Sequence, residues 1–219
     1  MIKACLFDMD GVIVDTAKFH FLAWQRLANS LSIEFTEVQN EELKGVSRVE
    51  SLEKILSWGN VVLNNAKKVE LMDLKNRWYL EYAEQVVPSE MLPGVFDFLN
   101  ELKQKDIRIG LGSSSKNAVL SLEKLGILEM FDTIIDGNKI HMSKPHPEVF
   151  QRGAAELKLQ PTDVVVFEDA QSGVEAAKSG GFYCIGIGES SVLSLADAVV
   201  PSMAGMTVER MEGLVASGE

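Results

Sequence analysis

The sequence has few of the features that mark secreted, membrane-bound or redox-active proteins. It contains only two cysteines, Cys5 and Cys184, and both lie in strand-like apolar runs, so we expect buried thiols rather than a disulfide or a metal pair. No segment approaches the run of about 18 apolar residues that a membrane helix needs. The first apolar run is broken by Asp8 and Asp10 before it reaches the length of a signal-peptide core. These absences favour a globular, cytoplasmic protein.

Positive charge is also scarce. The 219 residues include 21 Lys and Arg against 32 Asp and Glu, which gives a formal net charge of -11, and no basic stripe balances the excess. We therefore expect neither a nucleic acid nor a membrane surface as a partner. A phosphorylated small molecule stays compatible with this charge, because a few cations or a metal ion reverse the field inside one pocket.

The clearest sign of chemistry is a pair of carboxylates at the end of the first apolar run. Residues 4–7 predict a buried strand, and Asp8 and Asp10 follow it two residues apart, so the alternation of a strand aims both the same way. Two like charges side by side need a cation, or else a raised pKa on one of them. The alternative is a simple polar turn after a strand, since Asp and Gly are common turn residues.

The rest of the chain falls into a helical stretch and an alternating stretch. Apolar residues at helical spacing run from residue 19 to about 82, with the last stripe through Leu71, Leu74, Trp78 and Tyr82. Strand-like runs at 107–111, 133–135, 164–167 and 183–187 then alternate with helical ones at 117–125, 147–157 and 173–179. This order predicts an α/β fold with a parallel sheet, in which residues 1–14 and 89–219 form the core and residues 15–88 an inserted all-helical unit. The tail after Pro201, with Met203, Met206 and Met211, predicts a closing amphipathic helix.

Polar residues follow the strand-like runs at four places. They are Asp8 and Asp10, the segment 113–116, Lys144, and Glu168 with Asp169. Each alone has a plainer interpretation as a helix cap, a loop or a solvated first turn. Because the carboxyl ends of parallel strands meet at one edge, the four together predict one site that binds Mg2+ and a phosphoryl group.

These four segments, in order and spacing, resemble the motifs of the haloacid dehalogenase-like superfamily of phosphotransferases, over essentially the whole chain. The resemblance implies a Rossmann-like core with a helical cap inserted after the first strand. It implies that Asp8 is a nucleophile that forms an aspartyl-phosphate and that Asp10 is a general acid/base. Mg2+ would be held by the Asp8 side chain, the Asp10 backbone carbonyl, Asp169 and Glu168, while Ser113 and Lys144 would bind the transferring phosphoryl group.

Asp10 narrows the reaction within that superfamily. Members that cleave carbon–halogen or carbon–phosphorus bonds lack an acid at the second position, so those activities are not expected here. Phosphatases and mutases both keep it, and a partly protonated carboxylate passes a proton to a leaving oxygen and reclaims one from the next alcohol.

The helical unit resembles, more specifically, the superfamily's sugar-phosphate mutases that interconvert β-glucose 1-phosphate and glucose 6-phosphate. The resemblance rests on residues 15–24 and on the segment Lys44–Leu52. It implies that Arg48 binds the phosphate that is not transferred and that Thr16 and His20 assist catalysis near Asp10. The substrate-binding residues it implies are Trp24, Lys44, Gly45, Val46, Ser47, Arg48, Ser51, Lys75, Ser114, Ser115, Lys116 and Asn117. We expect a monomer.

Several of these residues have ordinary structural explanations. Arg48 could be a surface residue, His20 a packed core histidine, Lys75 a solvated helix residue, Trp24 a packing residue and Thr16 a helix cap. Two further functions stay open on the same residues. One is a Mg2+-dependent sugar-phosphate phosphatase, and the other is a sugar-phosphate-binding protein without catalysis.

Overall fold

A computed structural model describes residues 2–83 and 88–217 of the chain. The predicted range of the helical unit, 15–88, includes residues 84–87, which lie outside the described residues. The same holds for residue 1 and for residues 218–219 of the predicted core.

A parallel sheet of six strands forms the centre of the described structure. The strands are β1 Ala4–Phe7, β2 Arg108–Gly112, β3 Thr133–Ile135, β4 Val164–Glu168, β5 Tyr183–Ile187 and β6 Ala198–Val200. They lie in the order β3-β2-β1-β4-β5-β6, and all five neighbouring pairs are parallel. β1 and β4 are buried along their whole length, as expected for central strands of a sheet covered on both faces. The predicted α/β fold is therefore confirmed.

Helices cover both faces of this sheet. They are α5 Val95–Gln104, α6 Ala118–Leu125, α7 Glu148–Glu156, α8 Gln171–Ser179 and α9 Val208–Ser217. Alternate residues of β1 point to opposite faces: Cys5 and Phe7 pack with α5, α6 and α9, whereas Ala4 and Leu6 pack with α7 and α8. Phe7 stacks on Phe167 of β4 with the ring centroids 4.9 Å apart. The sheet therefore has a separate apolar core on each of its faces.

The strand order places a crevice at one end of β1. From β1 the chain continues to β2 and β3 on one side, and to β4, β5 and β6 on the other. In open parallel sheets ligands bind where the order reverses in this way, outside the carboxyl ends of the strands. Asp8 directly follows β1, Ser113 directly follows β2, and Glu168 ends β4, so three of the four predicted polar segments lie at this edge.

Four of the described α-helices lie between β1 and α5 in sequence. They are α1 Ala17–Ser30, α2 Glu37–Glu41, α3 Arg48–Trp58 and α4 Asn65–Ala83. Their own apolar cluster includes Trp24, Leu27, Leu52, Ile55 and Leu71. Phe19 and Tyr79 pack instead with the core on the α5 side of the sheet. Whether residues 15–88 form a separate domain stays a prediction.

The chain leaves and re-enters the sheet region at adjacent points. Val14, before α1, forms an antiparallel bridge with Met91, and the backbone N–H of Leu92 donates to the carbonyl of Ile13 at 2.9 Å. The two connections to the helical unit are thus hydrogen-bonded to each other.

The buried face of α4 differs from the predicted one. The buried residues are Leu71, Lys75, Tyr79 and Ala83, whereas the predicted stripe continued from Leu71 through Leu74, Trp78 and Tyr82, which are half-buried. After Leu71 the prediction was wrong by one position, because the charged residue Lys75 is buried and shifts the buried face from Leu74 to the next position. Lys75 is only 2% exposed.

The tail also differs from the prediction. β6 was not predicted, and Met203 and Met206 are buried in the segment before α9 rather than on it. Cys5 and Cys184 are buried free thiols, as expected. None of the helices in residues 2–83 and 88–217 combines the length and hydrophobicity of a membrane span.

Candidate active site

Three carboxylates meet where β1 and β4 end. Oxygen atoms of Asp8, Glu168 and Asp169 all lie within 4.8 Å of one another. Asp8 is 6% exposed and Glu168 is fully buried, and the backbone N–H of Asp8 donates to the carbonyl of Phe167 at 3.0 Å. The pairing of β1 with β4 therefore fixes the distance between the nucleophile candidate and the other two acids.

Two glycines make room for these carboxylates. A Cβ on Gly11 would lie 2.1 Å from Asp169 Oδ2, and a Cβ on Gly173 would lie 1.7 Å from Glu168 Oε1. Gly11 has a φ of +78°, which other residues rarely adopt. Each acid therefore lies directly against backbone, where a side chain would displace it.

Lys144 links two of the acids. Its ammonium contacts Asp8 Oδ1 at 2.5 Å and Glu168 Oε1 at 2.6 Å, and the residue is fully buried. Burial alone would lower the pKa of Lys144, but the charges of Asp8 and Glu168 outweigh burial and raise it. Lys144 therefore stays cationic beside Asp8, and a cation in this position suits an anionic oxygen.

The acids outnumber the cation, which fits a metal site. Burial, followed by the charges of Glu168 and Asp8, raises the pKa of Asp169 well above its usual value. The next cation, Lys44, lies 3.9 Å from Asp169 and also pairs with Glu41 at 2.9 Å. Such crowding of carboxylate oxygens is relieved by a divalent cation, and oxygen ligands are those that hard cations prefer. The residues present therefore suit a metal ion.

Asp10 lies in a different environment from Asp8. Its carboxylate accepts a hydrogen bond from the hydroxyl of Thr16. Burial, and then the charge of Asp8, raises the pKa of Asp10 to about 7. Thr16 precedes α1 but does not cap it through its side chain, so its hydroxyl serves Asp10 instead. Near neutral pH this carboxyl exchanges a proton readily, which suits an acid/base.

The segment after β2 presents hydroxyls and backbone N–H groups to the same edge. Ser113 is 2% exposed, and its backbone N–H donates to the carbonyl of Ile135 at 2.9 Å. Its hydroxyl accepts from the N–H of Ser115 at 3.1 Å, and the Ser115 hydroxyl accepts from the N–H of Asn117 at 3.2 Å. These bonds shape a tight turn before α6 of the kind that binds anions.

A cavity of about 560 Å³ separates these groups from the helical unit. The predicted site residues that line it are Asp8, Asp10, His20, Trp24, Lys44, Gly45, Val46, Ser47, Arg48, Ser51, Lys75, Ser113, Ser114, Ser115, Lys116 and Asp169. Thr16, Asn117 and Lys144 are not part of this lining but hydrogen-bond to residues that are, and Glu168 hydrogen-bonds to Lys144. The sequence motifs from both parts of the chain thus converge on one space.

His20 and Lys75 form a buried pair in the wall of the cavity. Lys75 Nζ lies 2.8 Å from His20 Nδ1, and the imidazole lies against the Tyr79 ring at 4.2 Å between centroids. Burial, followed by the charges of Lys75 and Arg48, lowers the pKa of His20 well below its usual value. Burial and the charge of Arg48 likewise lower the pKa of Lys75. His20 is therefore neutral, and its Nδ1 is hydrogen-bonded to Lys75.

The loop before α3 is fastened to the sheet side by serine hydroxyls. Ser114 donates to the carbonyl of Gly45 at 2.8 Å, and Ser172 donates to the carbonyl of Lys44 at 2.9 Å. Ser143 donates to Glu50. Glu50 also forms a capping box with Ser47 at the start of α3. These contacts join the start of α3 and the loop before it to three segments on the sheet side.

Sequence reasoning missed several residues at this boundary. Ser143 and Ser172 carry no motif, and single serines in loops give no signal. Glu50 could have been noticed, because Ser47 and Glu50 have the spacing of a capping box. Asn76, which hydrogen-bonds to Arg48 at 2.8 Å, lies in mid-helix beside a lysine, and no pattern marks it.

A family model described as haloacid dehalogenase-like hydrolase matches residues 5–187, most of the chain. The chain belongs to the haloacid dehalogenase-like hydrolases. The matched range begins in β1 and ends with β5, so it includes every residue of the acidic cluster.

Among relatives, this haloacid dehalogenase-like chain is 43% identical over 209 residues to a β-phosphoglucomutase of Bacillus subtilis, with 94% of this chain and 92% of that protein covered. It is 35% identical over 184 residues to a phosphorylated carbohydrates phosphatase of Thermotoga maritima, with 82% of each covered. A crystal structure of β-phosphoglucomutase from Clostridium difficile matches with a TM-score of 0.96 and 38% identity, over 99% of this chain and 98% of that one.

Proposed function

We propose that this protein is a β-phosphoglucomutase, which interconverts β-glucose 1-phosphate and glucose 6-phosphate through an aspartyl-phosphate and β-glucose 1,6-bisphosphate. The observation that carries the proposal is that Arg48 and Lys75 of the helical unit line the same cavity as Asp8 and Asp10. A phosphatase needs only the acidic edge. A mutase must also hold a sugar phosphate and keep water away from the phosphorylated carboxylate.

In this proposal Asp8 is the nucleophile. Its carboxylate attacks the phosphorus of the bisphosphate, forms the acyl phosphate, and releases the sugar oxygen. Lys144, at 2.5 Å from Asp8, and the turn that begins at Ser113 bind the oxygens of the group in transfer. Asp10 gives a proton to the leaving oxygen and takes one from the C6 hydroxyl of the next sugar, which then attacks the acyl phosphate.

Mg2+ is the proposed metal, held by Asp8, Glu168, Asp169 and the backbone carbonyl of Asp10. When bound, it neutralises phosphoryl oxygens and offsets the charge of the acids. The proximity of the three carboxylates supports this choice, as does the preference of Mg2+ for oxygen ligands.

The helical unit has its own proposed role. We propose that residues 15–88 act as a cap domain on a Rossmann-like core of residues 1–14 and 89–219. In this role Arg48 binds the phosphate that is not transferred, and the pair His20 and Lys75 adjusts the environment of Asp10. The remaining lining residues, Trp24, Lys44, Gly45, Val46, Ser47, Ser51, Ser114, Ser115, Lys116 and Asn117, shape the pocket for the sugar and its two phosphates.

The proposal also concerns the form in which the protein works. We propose that a monomer is active, because a single chain already brings the acidic edge and the phosphate-binding residues of the helical unit to one cavity. The free thiols of Cys5 and Cys184 support a location in the reducing cytoplasm.

The test is the fate of β-glucose 1-phosphate with Mg2+ and a catalytic amount of β-glucose 1,6-bisphosphate. We expect glucose 6-phosphate to form at least about a hundredfold faster than inorganic phosphate, because a closed site favours the bound hydroxyl over water. Phosphate release at the faster rate, without need of the bisphosphate, would instead identify a sugar-phosphate phosphatase, the activity named for the Thermotoga maritima relative.

Two variants complete this experiment. Asp8→Asn should abolish both activities, whereas Asp97→Asn, which alters an exposed acid on α5, should leave the rates unchanged. Full activity in Asp8→Asn would contradict any covalent mechanism at this residue.

A further inference from the structure

The side-chain oxygen of Asn76 is an acceptor for both parts of the molecule. Arg48 Nη2, at the start of α3, donates to it at 2.8 Å. Asn117 Nδ2, in the residue that precedes α6 on the sheet side, donates to it at 2.9 Å. Asn76 itself lies on α4, so one amide oxygen joins α3, α4 and the turn after β2.

The two donors fix the orientation of the Asn76 amide. An amide oxygen has two lone pairs, and both are used here. If the amide were rotated by half a turn, its NH2 group would face the guanidinium of Arg48 and the NH2 group of Asn117, and two hydrogen bonds would be replaced by repulsion. Arg48 and Asn117 therefore both face a fixed acceptor.

The acceptor is neutral, and this matters for Arg48. Among residues 2–83 and 88–217, no carboxylate oxygen lies within 4.0 Å of a charged nitrogen of Arg48. Arg48 lines the cavity and is half-buried. A guanidinium carries five N–H donors. Asn76 thus holds one edge of the guanidinium without cancelling the charge that attracts an anion.

We propose that Asn76 is a positioning residue for the phosphate that is not transferred. It aligns Arg48 from the cap side and Asn117 from the sheet side, so that their remaining donors converge on that phosphate. The inference rests on the proposed function, in which Arg48 and Asn117 bind this group. A carboxylate in place of the amide would neutralise Arg48 and repel the phosphate, and an alanine would release both donors.

The first experiment compares Asn76→Asp with the wild-type protein. We expect the KM for β-glucose 1-phosphate to rise at least about tenfold while kcat stays within about threefold, because binding of the second phosphate is lost and the acidic edge is unchanged. Phosphorylation of Asp8 by acetyl phosphate, which has no second phosphate, should stay within about twofold. Asn65→Asp is the matched control, since it adds the same charge at an exposed position of α4. A fall in kcat with unchanged KM would overturn the inference.

A second experiment separates positioning from a general effect on structure. Asn76→Ala should raise the KM about tenfold in the wild-type background but less than about threefold in Arg48→Ala, where the main group to be positioned is absent. Equal factors in the two backgrounds would show that Asn76 acts independently of Arg48 and would overturn the inference.

Binding of glucose 6-phosphate, measured by calorimetry in the presence of Mg2+, separates this inference from the proposed function. If the protein lacks mutase activity and Asn76→Asp still weakens this binding about tenfold, the proposed function fails and the role of Asn76 stands. If mutase activity is present and Asn76→Asp changes neither the KM nor this binding, the role of Asn76 fails alone.

Discussion

Lys75 is an example of a side chain whose position opposes stability. Its ammonium is almost fully removed from solvent, lies 4.7 Å from the centroid of the Trp24 ring, and has a neutral imidazole as its hydrogen-bond partner. A buried ammonium without a bonded carboxylate destabilises the folded state. In the proposed function the same charge is useful, because it attracts the anionic substrate into the cavity.

Replacement of Lys75 by Met should therefore stabilise the ligand-free protein and reduce its activity. Methionine keeps the length of the side chain and removes its charge. We expect the free energy of unfolding at pH 7 to rise by about 1 kcal/mol or more, even after the hydrogen bond to His20 is lost. The turnover of β-glucose 1-phosphate should fall at least about tenfold. Thermal unfolding and the coupled assay measure the two effects. Lys67→Met, at an exposed position of α4, is the control and should change neither.

The stabilisation should depend on pH. The folded-state pKa of Lys75 lies well below its ordinary value of 10.5 because of burial and the charge of Arg48. Between those two pKa values the unfolded chain binds the proton that the folded protein lacks, so the stability of the wild-type protein rises with pH. The advantage of Lys75→Met should therefore shrink as the pH rises above the folded-state pKa of Lys75 towards its ordinary value of 10.5. An advantage that is constant over this range would show that the charge of Lys75 is not its source.

Among the helices, α8 affects the site because its residue Gly173 has no side chain. Gly173 is in the first turn of α8, and the Glu168 carboxylate occupies the space that a Cβ there would fill. Glu168 Oε2 also accepts from the N–H of Ala170 at 2.9 Å, just before the helix. The start of α8 thus determines where Glu168 and, through it, Lys144 can lie.

Gly173→Ala should consequently weaken metal binding. The added methyl group displaces the Glu168 carboxylate, and displacement of a supporting acid costs about ten- to a hundredfold in metal affinity. Titration with Mn2+, followed by electron paramagnetic resonance, measures this. Gly213→Ala on α9 is the matched control, because a Cβ there meets nothing within 4 Å. An affinity within twofold of the wild-type value in Gly173→Ala would refute the role of Gly173.

The elements also show what the sequence could predict. β1 and β4 are continuous apolar runs that end in acids, so both the strands and the meeting of Asp8 with Glu168 followed from the pattern. The buried face of α4 could not be predicted in this way, because Lys75 is charged and nevertheless buried, which interrupts the apolar pattern. Asn76 could not be found at all, since its partners Arg48 and Asn117 are distant in sequence and only the packed fold brings them together.

The whole molecule carries an excess of negative charge, and three of its carboxylates meet at the site. The formal net charge is -11, and three of the acids lie within one cluster beside a single buried ammonium. Folding forces these carboxylates together, which disfavours the folded state until a cation binds.

Added Mg2+ should therefore raise the free energy of unfolding, by about 2.7 kcal/mol at a concentration a hundredfold above its dissociation constant. Asp169→Asn should reverse the order of stabilities: without metal the variant should unfold at the same temperature as the wild-type protein or higher, and with Mg2+ at a lower one. Thermal unfolding with and without EDTA measures both. A variant that is less stable than the wild-type protein under both conditions would contradict the repulsion between these acids.

The bridge between Val14 and Met91 has an evolutionary consequence. Backbone hydrogen bonds hold the two ends of the intervening segment side by side. The sheet therefore does not fix how many residues lie between these ends. Insertions, deletions or a wholly different set of helices between these points leave the spacing of the strands intact. Descendants of this chain can therefore change which molecule they recognise while they inherit the same phosphoryl-transfer edge.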